Sequence, residues 1–129
     1  MPIPESVIAA VTVAAQAAAD KLGDGIVAFD VSEQLAITDV FLIASAGNER
    51  QVGGIVDGVE EALQTKLRLK PTRREGDREN RWVLLDYLDF VVHVQHTEER
   101  SLYNLERLWK DCPQVPLSID LPAQPEADE

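Results

Sequence analysis

The chain has little cysteine, few basic side chains and no long apolar run, and each shortage excludes a class of protein. A single cysteine, Cys112, in 129 residues rules out the intramolecular disulfide framework of small secreted domains. No segment approaches the roughly 18 consecutive apolar residues of a membrane-spanning helix. The opening MPIPESVIAA lacks the basic n-region of a signal peptide. We therefore expect a cytoplasmic protein with no membrane association.

Basic residues are outnumbered by acidic ones. Twelve Lys and Arg stand against 23 Asp and Glu, which gives a formal net charge of −11. Since nucleic-acid binding depends on clustered basic side chains, this balance predicts little direct nucleic-acid binding. The charge is uneven, because residues 66–81 carry seven basic and three acidic side chains, a net +4, and the remainder carries −15. The acidic part would attract a basic partner, although an ordinary solvated surface explains the charge equally well.

Periodicity and breaking residues predict one domain over residues 1–112. Hydrophobic residues make up 45% of the chain, which is typical of a protein with a core. Apolar spacing and composition predict helices over 4–22, 49–69 and 98–111, and strands over 25–31 and 37–46, with two more within 81–94 and a brief one in 70–80. The order α-β-β-α-(β)-β-β-α predicts an α/β (α+β) fold with a mixed sheet flanked by helices. Residues 113–129, rich in proline and acidic at the end, are predicted to form an extended or disordered tail.

The segment RWVLLDYLDFVVHV, residues 81–94, places two carboxylates between two apolar runs. If Tyr87–Leu88 is a two-residue turn, Asp86 lies opposite Asp89 and the side chains alternate between two faces. One face is then wholly apolar and belongs to the core, while the other combines Trp82 with the carboxylates. Like charges that face each other on a sheet are destabilising unless a cation lies between them. A metal ion, an internal Arg or Lys, or a cationic partner would serve; alternatively, a helix covers this face and the acids merely mark a turn.

No catalytic signature accompanies these acids. The segment AGNERQVGG lacks both the Gly-x-Gly-x-x-Gly pattern and the Lys-Ser/Thr of a phosphate-binding loop, and Ser45 is not in a nucleophile elbow. His93 would lie at the far end of the hairpin from the two carboxylates, which weakens the case for a metal site. The sequence therefore predicts no catalytic residue, metal or cofactor. A magnesium-dependent enzyme that uses Asp30, Asp39 and the Asp86–Asp89 pair stays an alternative.

Four segments together resemble the ribosomal silencing factor family, also called Iojap-like. They are ITDVFLIASAGNERQVGGIVDGV, REGD, WVLLDYLDFVVHV and RSLYNLERLW, and the resemblance extends from about residue 25 to residue 111. It implies a nucleotidyltransferase-like α/β fold without established catalysis. It also implies a translational repressor that binds the large ribosomal subunit through its fourteenth ribosomal protein, a basic protein at the subunit interface. Such a repressor sterically blocks joining of the small subunit when nutrients are short.

The resemblance also implies a surface that faces the partner. Its predicted residues are Glu75, Trp82, Asp86, Tyr87 and Asp89. Trp82 would be the apolar anchor, and the acids would meet Lys or Arg of the ribosomal protein. A nucleotide-binding or nucleotidyltransferase-type enzyme is the alternative function. Self-association in a homodimer through the same face is an alternative use of the surface.

Two residues depart from the family pattern, and two others match it without a clear surface role. Leu88 stands where family members usually have Gly, and a positive φ would cost Leu more than Gly. Gln95 replaces a typically apolar residue, which predicts a more exposed strand end. Tyr103 and Trp109 match the pattern, and their helical spacing predicts that they pack in the core.

Overall fold

The computed structural model of the chain describes residues 3–76 and 78–120. Its elements are, in chain order, α1 (Glu5–Asp20), β1 (Asp24–Asp30), β2 (Val40–Ala46), α2 (Glu49–Leu67), β3 (Arg73–Glu75), β4 (Trp82–Asp86), β5 (Phe90–His96), α3 (Thr97–Tyr103) and α4 (Leu105–Leu108). The predicted α/β (α+β) fold class is confirmed. The brief strand predicted between α2 and β4 is present as β3.

Five strands form one mixed sheet in the order β1-β2-β5-β4-β3. The central pair, β2 and β5, is parallel, and every other neighbouring pair is antiparallel. The central strand β5 is buried along its whole length, as expected for a strand with neighbours on both edges and elements on both faces. Its side chains therefore contribute to the packing on both faces of the sheet.

Helices α1 and α2 pack on one face of the sheet, which we call the first face. Six of the eight buried residues of α1 are alanines, the strongest helix formers and small enough to allow close helix packing. The α2 helix begins at Asn48, whose side chain accepts a hydrogen bond from the Gln51 N–H at 2.8 Å and so satisfies a free donor of the first turn. The main core lies between these helices and the inward side chains of the strands. We call the opposite face of the sheet the second face; the helices α1 and α2 do not cover it.

The second face is covered over β1 and β2 by the segment that follows β5. Phe29 and Ile43 form a smaller buried cluster there with Leu105 and Cys112. Trp109 packs against this cluster, as its spacing predicts. The covering segment does not extend equally over the other strands, so the side chains of β3 and β4 on this face are partly or fully exposed.

The hairpin of β4 and β5 has a different register from the predicted one. Asp86 lies opposite Val91 rather than Asp89, and Trp82 lies opposite Gln95. The predicted register is wrong by two residues, and the two carboxylates do not face each other. Because side chains alternate with a period of two, a shift of two residues leaves each strand side chain on its predicted face.

Leu88 and Asp89 form the turn of this hairpin, in place of the predicted Tyr87 and Leu88. The Tyr87 N–H donates to the Phe90 carbonyl at 2.9 Å, and the Asp89 N–H donates to the Tyr87 carbonyl at 2.9 Å. Leu88 has φ 74°, a conformation that costs an L-residue roughly 1–2 kcal/mol and that Gly adopts freely. The Asp86 carboxylate offsets part of this cost, because its Oδ1 accepts a hydrogen bond from the Leu88 N–H at 2.8 Å.

The predicted third helix, 98–111, is divided into two short helices. The first ends at Tyr103, and Asn104 then has φ 48°, a left-handed conformation that Asn adopts more readily than most residues. The Asn104 side chain accepts a hydrogen bond from the Arg107 N–H at 3.3 Å and so caps the second helix. The prediction of one continuous helix is therefore wrong, because Asn104 ends one helix and begins the next.

Residues 113–120 lie along the outer edge of β1, beyond the domain boundary predicted at residue 112. The Val115 N–H donates to the Ala28 carbonyl at 2.8 Å, and the Val115 side chain is buried. An open sheet edge presents unpaired backbone groups, and this extended segment pairs with some of them. The rest of the predicted tail, 121–129, lies outside the described residues, so its disorder stays a prediction.

Candidate docking surface

Four side chains on the second face lie side by side at its accessible end, and we call them the docking face. They are Glu75 of β3 and Trp82, Leu84 and Asp86 of β4. Glu75 lies opposite Leu84 in the β3–β4 ladder, so the two side chains share a face. All four are partly or fully exposed. The docking face therefore combines apolar surface with acidic groups.

Trp82 is held in place by two aromatic neighbours. Its Nε1–H donates to Nδ1 of His93 at 3.1 Å, and its ring centroid lies 5.0 Å from that of Tyr103, with an angle of 46° between the ring planes. Trp82 is nevertheless partly exposed. A large aromatic side chain that is ordered before binding loses little conformational freedom on binding, which is the property of an interface anchor.

His93 supplies the acceptor that orients this indole. It is 5% exposed, and burial lowers the pKa of its imidazole from 6.5 to about 4. The ring is therefore neutral at pH 7, and Nδ1 has a lone pair for the Trp82 proton. Phe41 packs against His93 with ring centroids 4.7 Å apart and an interplanar angle of 74°. His93 thus acts on the docking face through Trp82.

Arg73 lies between the two acidic side chains of the docking face. Its Nη2 is 3.3 Å from Glu75 Oε2, and its Nε is 3.9 Å from Asp86 Oδ2. The side chains of Arg73 and Glu75 are more than half exposed, and that of Asp86 is 24% exposed. Among the cations that the sequence left open, the structure shows an internal arginine. Exposed ion pairs contribute about 0–1 kcal/mol, so a basic partner can replace Arg73 at little cost.

The structure brings together only part of the predicted partner-facing set. Glu75, Trp82 and Asp86 share the docking face. Asp89 is exposed in the neighbouring turn, where its carbonyl accepts a hydrogen bond from the Asp39 N–H at 2.9 Å. Asp89 is thus an exposed turn residue beside the end of β4 and is not one of the four residues of the docking face.

Tyr87 lies apart from this set, on the first face. It is 8% exposed, and its ring stacks on that of Phe90 with centroids 4.9 Å apart and planes within 9°. Burial raises the pKa of its phenol to about 12. Consecutive residues alternate faces, and Asp86 occupies the second face, so Tyr87 lies on the first face. The role of Tyr87 in partner binding stays a prediction.

Other side chains near Trp82 differ from the sequence expectations. Tyr103, predicted to pack in the core, is the last residue of α3 and is 52% exposed. Leu84 was not among the predicted site residues, although alternation with Trp82 places it on the same face. Gln95, predicted at an exposed strand end, is 0% exposed. Within the described part of the chain, neither polar atom of the Gln95 amide has a hydrogen-bond partner.

Two acids of the alternative enzyme hypothesis, Asp30 and Asp86, have separate local roles. Asp30 Oδ1 accepts hydrogen bonds from the Ser32 N–H at 3.0 Å and from the Ser32 hydroxyl at 2.6 Å. The Asp86 carboxylate is engaged by the turn and by Arg73. Over residues 3–76 and 78–120, no group of three or more His, Cys, Asp or Glu side chains is placed to hold a metal ion.

In the part of the chain that the structure describes, no helix is both long enough and apolar enough to cross a membrane.

Comparison with known proteins gives consistent matches over most of the chain. A family model described as "Ribosomal silencing factor during starvation" matches residues 4–129. The Ribosomal silencing factor RsfS of Bacillus subtilis is 39% identical over 110 residues, which cover 84% of this chain and 92% of the relative. The protein of the same name from Halalkalibacterium halodurans is 41% identical over 105 residues, covering 81% and 88% respectively. A crystal structure of a protein from Bacillus halodurans is similar with a TM-score of 0.73 and 35% identity, over 88% of this chain and 100% of that one.

Proposed function

The chain belongs to the ribosomal silencing factor family, and on that premise we propose that it represses translation by binding the large ribosomal subunit. The proposed contact is the fourteenth ribosomal protein of that subunit, a basic protein at the subunit interface. A bound copy of this chain would then occupy space that the small subunit needs, so that the two subunits cannot join. The proposed location is the cytoplasm, where translation takes place.

The observation that carries this proposal is the composition of the docking face. Trp82 is an ordered aromatic anchor, and Leu84 adds apolar area beside it. Glu75 and Asp86 flank this apolar centre, and their carboxylates can exchange Arg73 for a basic group of the partner. An aromatic centre with a charged rim is typical of a protein interface whose affinity comes from a few residues. The acids match a basic partner and would also steer its approach.

A steric mechanism requires no catalytic reaction by this chain. The relatives are named as silencing factors, which describes a regulatory rather than a catalytic role. Blocking subunit joining requires only affinity and a defined position on the large subunit. We therefore propose that the docking face supplies both, with Trp82 setting affinity and the acids setting orientation.

The test is binding of the purified protein to separated large and small ribosomal subunits by co-sedimentation. We expect binding to large subunits and a loss of about 2 kcal/mol or more in Trp82→Ala, the size of a typical interface hot spot. Leu22→Ala is the matched control, since Leu22 is another exposed apolar residue, just after the end of α1, and is not part of the docking face. Binding only to small subunits would contradict the proposal, as would equal affinities of Trp82→Ala and the unaltered protein.

A further inference from the structure

The end of α2 presents basic side chains in a chain that is otherwise strongly acidic. We call three of them the basic patch: Lys66, Arg68 and Lys70. All three are exposed. Within the described residues, none of the three has an ion-pair or hydrogen-bond partner for its side chain. The basic patch is therefore free to meet an external anion.

Three other basic residues of the same segment, Arg73, Arg74 and Arg81, are already engaged. Arg74 pairs with Glu60 of α2. Arg81 contacts three glutamates, Glu49, Glu98 and Glu99, at 2.9 to 3.1 Å. These pairs neutralise charge inside the domain and hold its elements together. The basic patch is not neutralised by these pairs, and its three cations lie close together in the sequence.

The backbone conformation at Arg68 indicates that its side chain has a role besides its position at the helix end. Arg68 has φ 58°, and the Leu69 N–H donates to the Leu63 carbonyl at 3.1 Å. This is the left-handed helix end at which Gly is favoured, because other residues are strained there. The helix dipole favours Lys66 in the last turn. Lys70 lies beyond the reach of that effect, so the dipole does not account for the whole patch.

The basic patch also borders the docking face. The Thr72 N–H donates to the Asp86 carbonyl at 2.7 Å, and the Thr72 hydroxyl donates to the same oxygen at 3.0 Å. Lys70 is two residues from Thr72, at most about 7 Å along the chain. When a partner binds the docking face, the molecules next to that partner therefore lie close to the basic patch.

We propose that the basic patch binds phosphate groups of the large-subunit RNA beside the docking site. The proposal rests on the proposed function only in requiring that the docking face binds the large subunit. Ammonium and guanidinium groups are the usual phosphate ligands of proteins. The net charge of −11 opposes binding to free RNA, but docking places the patch at a high local concentration of phosphate. The patch thus adds affinity and fixes rotation about the protein contact.

Salt dependence of binding to purified large subunits tests this assignment. The triple variant Lys66→Gln/Arg68→Gln/Lys70→Gln loses three cations from the exposed surface. Each phosphate contact contributes roughly 0.7–0.9 to the slope of log K against log salt concentration. We expect the slope to fall by about 2 and the affinity at low salt to fall at least about tenfold. Binding to the isolated fourteenth ribosomal protein should be unchanged.

Two further variants separate charge from folding and from position. Arg68→Gly removes one charge and places Gly where the backbone favours it, so this variant should be more stable than the unaltered protein and yet bind large subunits more weakly. Arg50→Gln is the matched single-charge control at the opposite end of α2, about 27 Å away along the helix. It should leave affinity and salt slope unchanged.

A covalent probe at position 68 identifies what the basic patch touches. Arg68→Cys carrying a thiol-linked photo-crosslinker should form an adduct with large subunits that ribonuclease digests, whereas the same probe on Arg50→Cys should not. An adduct that resists ribonuclease would overturn the proposal in favour of a protein neighbour. So would an unchanged salt slope in the triple variant, or an equal loss of binding to the isolated ribosomal protein. Failure of the unaltered protein to bind large subunits would refute the proposed function itself, and this assignment with it.

Discussion

Replacing Trp82 by Phe tests whether the hydrogen bond to His93 fixes the anchor of the docking face. The change keeps an aromatic ring and removes the Nε1–H, which donates to His93 Nδ1 at 3.1 Å. Because His93 is 5% exposed, its acceptor is left buried without a partner, and such an atom costs about 1–3 kcal/mol. We expect the free energy of unfolding to fall by about that amount in urea titrations.

A double-mutant cycle separates the hydrogen bond from the loss of ring area. His93→Phe removes the acceptor, and the indole N–H of the partly exposed Trp82 can then bond to water. In Trp82→Phe/His93→Phe neither polar group remains. The coupling free energy from the four proteins should be about 0.5–1.5 kcal/mol. A coupling free energy near zero would refute the hydrogen bond as a stabilising contact.

The same variants link this bond to binding. His93→Phe keeps Trp82 but frees its rotation, and ordering a side chain on binding costs about 0.5–1.5 kcal/mol. Affinity for large subunits should therefore fall about two- to tenfold, although His93 itself is buried. Unchanged affinity in His93→Phe would show that Trp82 needs no internal support.

Three further predictions concern stability. Because the folded-state pKa of His93 is about 4 against 6.5 unfolded, its contribution is complete above pH 6.5 and falls by about 3 kcal/mol as the pH decreases to 4. Urea titrations should show about 2 kcal/mol of this loss between pH 7 and pH 5, and His93→Phe should show less of it. Gln95→Met should raise the free energy of unfolding by about 1–3 kcal/mol, because both amide atoms of Gln95 are buried without partners among the described residues; a less stable variant would mean that Gln95 is satisfied in solution. Leu88→Gly should raise the unfolding free energy by about 0.5–1 kcal/mol. Relief of the backbone strain at φ 74° outweighs the added freedom of Gly in the unfolded chain. A loss of stability in thermal unfolding would contradict the turn geometry.

The faces of the hairpin were predictable from sequence, whereas its register was not. Alternation alone separates Trp82 and Asp86 from the core residues, and that separation is unaffected by a shift of two residues. The register depends on the turn, and the turn depends on Leu88 adopting a positive φ that propensity disfavours. Tyr87 was predicted in the turn and, by resemblance, on the partner-facing surface; in the observed register it pairs with Phe90 and is buried.

The remaining differences arise from tertiary contacts that local patterns do not encode. Asn104 divides the last helix by adopting a left-handed conformation, which exposes Tyr103 next to Trp82. Gln95 is buried because the segment after β5 folds back over the second face. Val115 is buried because the edge of β1 offers a backbone partner. The sequence left open an internal Arg or Lys as the cation beside the acids. The pairing of β3 with β4 places Arg73 there.

Subunit joining is the direct test of the central claim, that the docking face represses translation by steric exclusion. Purified large subunits are preloaded with the protein, small subunits are added, and joined ribosomes are measured by light scattering and on sucrose gradients. The unaltered protein should reduce joining in proportion to occupancy, and Trp82→Ala should not reduce it at concentrations where Leu22→Ala does. Normal joining on large subunits saturated with the unaltered protein would contradict the account.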